Sequence, residues 1–133
     1  TQNAVLVAPD AGAMKKVGKT AVKFGKQMVR ADKIRSTKDG SITGTKVYSD
    51  HIGSQDFLIL DDICDGGRTF IELARELRPL TDGNVLLFVT HGIFSNKGLD
   101  PFQGIIDHIF VANPFPNVDL TNPIITKLNL DIE

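Results

Sequence analysis

Two adjacent carboxylates directly follow an apolar run, where their type and spacing suit the binding of a sugar. Asp61 and Asp62 come after residues 57–60, whose sequence Phe-Leu-Ile-Leu predicts a core strand of a parallel sheet. Ligands bind outside the carboxyl ends of such strands. Ionised carboxylates only accept hydrogen bonds, and no lysine or arginine adjoins this pair in sequence. Their natural partners are therefore sugar hydroxyls or Mg²⁺ with its waters.

The residues after the two aspartates predict a phosphate-binding turn. Asp65 precedes Gly66 and Gly67, and a glycine pair lets the backbone turn tightly and approach an anion. Residues 69–72 have the capping-box form that starts a helix, so free amides and a positive dipole end would point into the turn. The alternative is a plain strand-to-helix turn, but simple caps do not need three carboxylates and a double glycine together. We interpret the run as a cradle for a ribose phosphate.

A second strand, loop and helix start occur near the beginning of the chain. The β-prone run Ala4–Ala8 leads into a turn that contains Asp10, Ala11 and Gly12. A helical pattern follows, with one apolar stripe formed by Met14, Val17, Ala21 and Phe24. By itself this turn would not indicate a ligand site. It becomes informative because it lies upstream of the cradle.

The rest of the chain alternates between predicted strands and helices, which indicates an α/β fold. Residues 84–89 predict a buried strand, and residues 108–111 and 124–128 predict two more. A helix over residues 69–78, stopping before Pro79, would bury one face formed by Phe70, Leu73, Ala74 and Leu77. Residues 36–56 are polar and rich in glycine, which predicts a mobile excursion or a small β-flag.

Length and composition predict one soluble domain over residues 1–133. The chain has 133 residues of which 41% are hydrophobic, enough for one core and too few for two ordinary domains. Its net charge of -1 gives no reason to expect a nucleic acid or a membrane as partner. The single cysteine, Cys64, excludes an intrachain disulfide, and no run is long enough for a membrane span. The expected compartment is the cytoplasm.

Four runs of this chain resemble ribose-phosphate pyrophosphokinase, in the same order along the sequence, from about Val5 to about Phe115. The cradle resembles the phosphoribosyl diphosphate (PRPP) motif that this family shares with type I phosphoribosyltransferases. The Asp10 loop resembles a Ser-Pro-Asp-Ala-Gly-Gly loop, with alanines at positions 8 and 13. Residues 90–95, Thr-His-Gly-Ile-Phe-Ser, resemble a run that ordinary phosphoribosyltransferases do not usually carry. Residues 32–35, Asp-Lys-Ile-Arg, resemble the start of the family's flexible catalytic loop.

The resemblance implies a three-layer type I phosphoribosyltransferase-like α/β domain, with a central mostly parallel sheet and a β-flag or flexible loop. It implies that the 5-phosphate is held by Asp65, Gly66, Gly67, Arg68 and Thr69. Asp61 and Asp62 would hold the ribose hydroxyls. Asp10, Ala11 and Gly12 would form the diphosphate loop, with Asp10 as a metal ligand, and Lys33 and Arg35 would be catalytic. From the residues alone, the lysine and arginine are equally well explained as a solvated basic pair, and His91 as a turn histidine. Lys16, near a helix start after the Asp10 loop, could reach an anion bound there.

The family transfers the diphosphoryl group of ATP to ribose 5-phosphate with Mg²⁺, giving PRPP and AMP. The resemblance matches its C-terminal half, so we expect this chain to bind ribose 5-phosphate or PRPP, to catalyse poorly alone, and to form a homo-oligomer in the full-length enzyme. Two alternatives stay open. One is a stand-alone phosphoribosyltransferase that consumes PRPP. The other is a non-catalytic regulatory module, since Ala8, Ala13 and Arg68 depart from the family's pattern.

Overall fold

A twisted seven-stranded sheet forms the centre of the part of the chain that the structure describes. The computed structural model describes residues 4–9, 13–35, 37–40, 42–48, 53–64, 68–94 and 99–128, with the backbone alone for 32–35, 42–48, 63 and 68. The strands are β1 (Ala4–Ala8), β2 (Met28–Arg35), β3 (Ile42–Tyr48), β4 (Asp56–Cys64), β5 (Val85–Gly92), β6 (His108–Pro114) and β7 (Ile125–Lys127). The helices are α1 (Met14–Phe24) and α2 (Arg68–Leu77), with 3₁₀ turns at Arg78–Leu80 and Asp100–Phe102.

The strand order places a switch point between β1 and β4. The order is β3-β2-β1-β4-β5-β6-β7, and every neighbouring pair is parallel except β2 and β3. From β1 the chain first adds β2 and β3 on one side, then returns to add β4 to β7 on the other. In open parallel sheets a crevice forms at the carboxyl ends of the two strands where the order reverses. The fold therefore offers a ligand site at the ends of β1 and β4.

Each face of β4 packs against a different helix, which gives three layers. Phe57 and Ile59 belong to the large core that α2 covers, whereas Leu58 and Leu60 pack in the smaller cluster under α1. This alternation follows from the two-residue period of a strand. A strand buried on both faces reads as a continuous apolar run, so the predicted core strand is confirmed.

The two helices follow their predicted faces to different extents. On α2, all four residues of the predicted face are buried: Phe70, Leu73, Ala74 and Leu77. On α1, Val17 and Ala21 of the predicted apolar stripe are buried, but the side chain of Phe24 on the same stripe is 63% exposed. Phe24 is the last residue of α1, and Gly25 ends the helix in the left-handed conformation. The apolar stripe predicts a side of the helix, not how far along the helix the packing continues.

The predicted β-flag is present as an antiparallel hairpin of β2 and β3 at one edge of the sheet. Residues 32–35 lie on β2 itself, and the pairing register shifts between Ile34 and Arg35. Among the described residues, no helix combines the length and the apolar character needed to cross a membrane.

Candidate functional site

A cavity of about 370 Å³ lies between α1 and the carboxyl-terminal halves of β4 and β5. Its lining combines the first turns of α1 with the two strands, and consists of Ala13, Lys16, Val17, Thr20, Leu60, Asp61, Asp62, Phe88 and Thr90. The cavity therefore borders the β1–β4 switch point on its β4 side, although no residue of β1 lines it. Both predicted ribose-binding aspartates line it.

The register of β4 and β5 gives the cavity an apolar floor and a polar rim. Leu60 pairs with Phe88 across the two strands, and both residues line the cavity. Two residues further along each strand, Asp62 and Thr90 lie on the same face, nearer the carboxyl edge. A sugar has an apolar carbon skeleton and polar hydroxyls, and this arrangement suits both.

Asp62 has a counter-ion from another element. The ammonium of Lys16, in the first turn of α1, forms an ion pair with the Asp62 carboxylate. The side chains of Lys16 and Asp62 are 72% and 53% exposed, so the pair is open to solvent. The Asp61 carboxylate accepts a hydrogen bond from the Asp62 amide at 2.8 Å. The sequence shows no basic neighbour for these carboxylates, but the fold supplies one from 46 residues away.

The predicted phosphate loop lies between the end of β4 and the start of α2. Asp65, Gly66 and Gly67 are outside the described residues. Arg68 is the first residue of α2, and Thr69 lies half-buried in its first turn. The helix thus begins one residue earlier than predicted, so Thr69 is not its N-cap. α2 starts four residues after the last residue of β4, so the first-turn amide groups, which have no partner within the helix, follow the end of that strand closely in sequence.

The predicted diphosphate loop and catalytic pair are only partly described. Asp10, Ala11 and Gly12 lie outside the described residues, but Ala13, which follows them directly, lines the cavity. The backbone of Lys33 and Arg35 lies on β2, which neighbours β1 on the side away from β4. Among the described site residues, the structure therefore brings together the two aspartates at the cavity, with Lys16 beside them.

The run at residues 90–95 builds a corner at the carboxyl edge. β5 continues through Gly92, so His91 lies exposed on the strand. The ring of Phe94 packs so closely that a Cβ on Gly92 would lie 2.5 Å from it. The carbonyl oxygen of Cys64, the last residue of β4, accepts hydrogen bonds from the amides of Ile93 at 2.9 Å and of Phe94 at 3.3 Å. This corner fixes the end of β4, where the predicted phosphate loop begins.

Six cavity-lining residues were not predicted as site residues: Ala13, Val17, Thr20, Leu60, Phe88 and Thr90. Thr90 opens the run at 90–95, so that run was a usable signal. Thr20 and Phe88 carried none, because a helical threonine and a strand phenylalanine have ordinary structural roles in a sequence.

The donors at the cavity suit a metal that a ligand helps to hold. Among the described residues, no group of three or more histidine, cysteine, aspartate or glutamate side chains could hold a metal ion. Mg²⁺ is commonly held by one or two carboxylates together with substrate phosphates and waters. Asp61 and Asp62 meet that smaller requirement, although Lys16 already neutralises one of them.

Curated relatives confirm the resemblance that the four runs carry. Ribose-phosphate pyrophosphokinase of Ureaplasma parvum is 29% identical over 122 residues, which cover 88% of this chain and 36% of that protein. Ribose-phosphate pyrophosphokinase 4 of Saccharomyces cerevisiae is 30% identical over 129 residues, covering 96% of this chain and 39% of the relative. The chain thus spans well under half the length of these curated relatives. No protein-family model matches it.

Solved structures confirm the fold. The chain superposes on phosphoribosylpyrophosphate synthetase of Mycobacterium smegmatis with a TM-score of 0.76 at 23% identity, covering 95% of this chain and 40% of that one. It superposes on adenine phosphoribosyltransferase of Thermoanaerobacter pseudethanolicus with a TM-score of 0.64 at 18% identity, covering 84% and 69% of the two chains. The predicted type I phosphoribosyltransferase-like α/β fold is therefore confirmed.

Proposed function

We propose that this chain is the part of a ribose-phosphate diphosphokinase that binds ribose 5-phosphate and diphosphate. In the whole enzyme, the diphosphoryl group of ATP would pass to the anomeric hydroxyl of ribose 5-phosphate, giving PRPP and AMP. The kinship with ribose-phosphate pyrophosphokinases supports the reaction. The observation that supports the site is the position of Asp61 and Asp62, which line a cavity at the carboxyl-terminal halves of β4 and β5, beside the β1–β4 switch point.

The elements around the cavity suggest how a ribose phosphate would lie. The aspartates would accept hydrogen bonds from the ribose hydroxyls. The 5-phosphate would bind at the start of α2, where Arg68 and Thr69 follow the glycine pair and helix amides favour an anion. The opposite end of the sugar would then point towards Ala13 and the Asp10 loop, where a diphosphate would bind.

Lys33 and Arg35 would neutralise charge on the phosphoryl groups during transfer. Such reactions depend mainly on positioned cations and little on covalent chemistry by the protein. Both residues lie on β2, where Arg30 pairs with Ala8 at the end of β1, so Lys33 and Arg35 are three and five residues beyond the end of the strand that leads into the Asp10 loop. Mg²⁺, held by Asp10 with the diphosphate, would supply the remaining positive charge.

The test is isothermal titration of the chain with ribose 5-phosphate and with PRPP, each with and without Mg²⁺. We expect both ligands to bind, with stronger binding when Mg²⁺ is present. In the Asp61→Asn, Asp62→Asn double variant, binding should weaken at least about 100-fold, because two acceptors of hydrogen bonds from the sugar lose their charge. The matched control is Asp82→Asn. It removes the charge of an exposed carboxylate in the loop before β5, at the amino ends of the parallel strands and away from the cavity.

Two results would contradict the proposal. The first is wild-type chain that binds neither ligand, and the second is a double variant that binds as tightly as the Asp82→Asn control. A separate assay distinguishes the two reactions. Release of diphosphate from PRPP on addition of a nucleobase would identify a phosphoribosyltransferase, whereas the proposed function predicts AMP formation from ATP and ribose 5-phosphate by the longer protein.

A further inference from the structure

Thr90 places a hydroxyl beside the Asp62 carboxylate at the rim of the cavity. Both side chains line the cavity, Thr90 from β5 and Asp62 from β4. The residues on either side of them are paired across the two parallel strands, so the two side chains lie next to each other on one face of the sheet. Adjacent strands are about 4.8 Å apart. One small ligand group can therefore contact both side chains.

The Thr90 hydroxyl is available to a ligand. The side chain is half-buried, and its hydroxyl forms no hydrogen bond with the residues that the structure describes. Thr20, the other threonine of the cavity, differs in this respect, because its hydroxyl donates a hydrogen bond to the Lys16 carbonyl oxygen at 3.1 Å. A half-buried, unpaired hydroxyl gains more from a polar ligand group than a solvated one does, because burial has already removed part of its water.

Asp62 and Thr90 complement each other as partners of a ligand hydroxyl. The ionised carboxylate can only accept hydrogen bonds, whereas the threonine hydroxyl can donate one. Asp62 already has Lys16 as its counter-ion, but a carboxylate has about four lone-pair sites and can accept further hydrogen bonds. A ligand hydroxyl between the two side chains would donate to Asp62 and accept from Thr90. A hydrogen atom at the same place would satisfy neither side chain.

The two faces of the sheet indicate which hydroxyl of a ribose this would be. α1 and α2 cover opposite faces, and Asp62 and Thr90 lie on the face of α1. In the proposed orientation the 5-phosphate binds at the start of α2, on the other face. C2 is further from C5 along the sugar than C3 is, so the 2-hydroxyl would reach further towards α1. The 3-hydroxyl would then lie nearer Asp61, the preceding residue on β4.

We propose that Thr90 is a specificity residue that contacts the 2-hydroxyl together with Asp62, and so selects ribose 5-phosphate over 2-deoxyribose 5-phosphate. This inference rests on the proposed function. Leu60 and Phe88, the cavity-lining residues two positions earlier on the same strands, are apolar and offer the two polar side chains no substitute partner. A site that pairs with a substrate hydroxyl rejects the analogue that lacks it, because polar groups of the site are then left unpaired.

The test variant is Thr90→Val, which keeps the shape of the side chain, suits a strand and removes the hydroxyl. Isothermal titration measures the affinities for ribose 5-phosphate and for 2-deoxyribose 5-phosphate. We expect the wild-type chain to bind ribose 5-phosphate at least about tenfold more tightly than the deoxy sugar. The variant should bind ribose 5-phosphate about five- to tenfold more weakly, the effect of one hydrogen bond, and the deoxy sugar within about twofold of the wild type.

The matched control is Thr126→Val, which makes the same chemical change in another strand. Thr126 is exposed on β7 and does not line the cavity, so both affinities should stay within about twofold of the wild type. Thr90→Ser keeps the hydroxyl and should retain most of the preference for ribose 5-phosphate. A purely structural role of Thr90 would weaken both sugars alike in Thr90→Val.

Failure of this inference is distinct from failure of the proposed function. Equal losses for the two sugars in Thr90→Val, or a preference unchanged from the Thr126→Val control, would overturn the specificity role while wild-type binding of ribose 5-phosphate stands. A wild-type chain that binds both sugars equally would overturn it as well. If the wild-type chain binds neither ribose 5-phosphate nor PRPP, the proposed function fails and the inference fails with it. A selective loss for ribose 5-phosphate supports both.

Discussion

Phe94 is a non-glycine residue in the left-handed backbone region, with a φ of 48°. Its side chain is 1% exposed and meets Phe102 edge to face, with ring centroids 5.7 Å apart. Burial of the ring offsets the backbone strain, which is of the kind often found next to functional sites. The corner around Phe94 holds the end of β4 through the Cys64 carbonyl. The pyrophosphokinase-like run at residues 90–95 thus has a structural reason here that is independent of chemistry at His91.

Gly92→Ala tests this corner. An added Cβ would lie 2.5 Å from the Phe94 ring and 2.8 Å from a methyl of Val111, and neither neighbour has space to retreat in a packed core. We expect the free energy of unfolding to fall by about 1–3 kcal/mol, the usual cost of overpacking. Urea denaturation followed by circular dichroism measures it.

Gly18→Ala is the control, because it makes the same chemical change inside α1. A Cβ there would lie 3.9 Å from the Met28 sulfur, an ordinary contact. Since alanine favours a helix over glycine, this variant should gain about 0.5–1 kcal/mol. A Gly92→Ala protein as stable as the wild type would show that the corner is looser than described.

At the scale of elements, the two helices differ in how well the sequence predicts their packing. Period and composition correctly predict the α2 face and the strand Ala4–Ala8, because these elements lie over a continuous core. The apolar stripe of α1 does not reveal that Phe24 is exposed, because a local pattern carries no information on where the sheet beneath the helix ends. The Lys16–Asp62 pair is hidden from the sequence for a similar reason, since only the fold brings α1 and β4 together.

Phenylalanine-to-alanine variants on the two helices test this difference directly. Phe70 on α2 is 5% exposed, so Phe70→Ala should lower the free energy of unfolding by about 3–5 kcal/mol. Phe24, 63% exposed on α1, contacts the Lys23 ammonium at 5.6 Å from its ring centroid, and its truncation should cost less than about 1 kcal/mol. Both values come from one set of denaturation curves. Similar costs for the two variants would mean that Phe24 is buried as its stripe predicts.

At the scale of the molecule, the proposed site is formed by the same elements that form the core of the fold. The cavity takes its lining from α1, β4 and β5, and the two strands are adjacent in the central sheet. A ligand that binds there must therefore stabilise the whole folded unit and not one loop. The charge of α1, which borders the site, differs from that of the whole chain. The helix carries four lysines and no carboxylate, whereas the chain has a net charge of -1.

Thermal unfolding measures this coupling. At a free ribose 5-phosphate concentration of about 100 times Kd, binding to the folded state alone adds about 2.7 kcal/mol to stability. For a chain of 133 residues, that gain should raise Tm by about 5–10 °C. Ribose without its phosphate should raise Tm much less at the same concentration, because it has no anion to bind at the start of α2. The Asp61→Asn, Asp62→Asn variant, if it binds 100-fold more weakly, should shift by no more than about 1–2 °C at the same concentration. If ribose 5-phosphate binds by titration but leaves Tm unchanged, its binding site lies outside the cooperatively folded sheet, and the cavity between α1 and β4 is not the site.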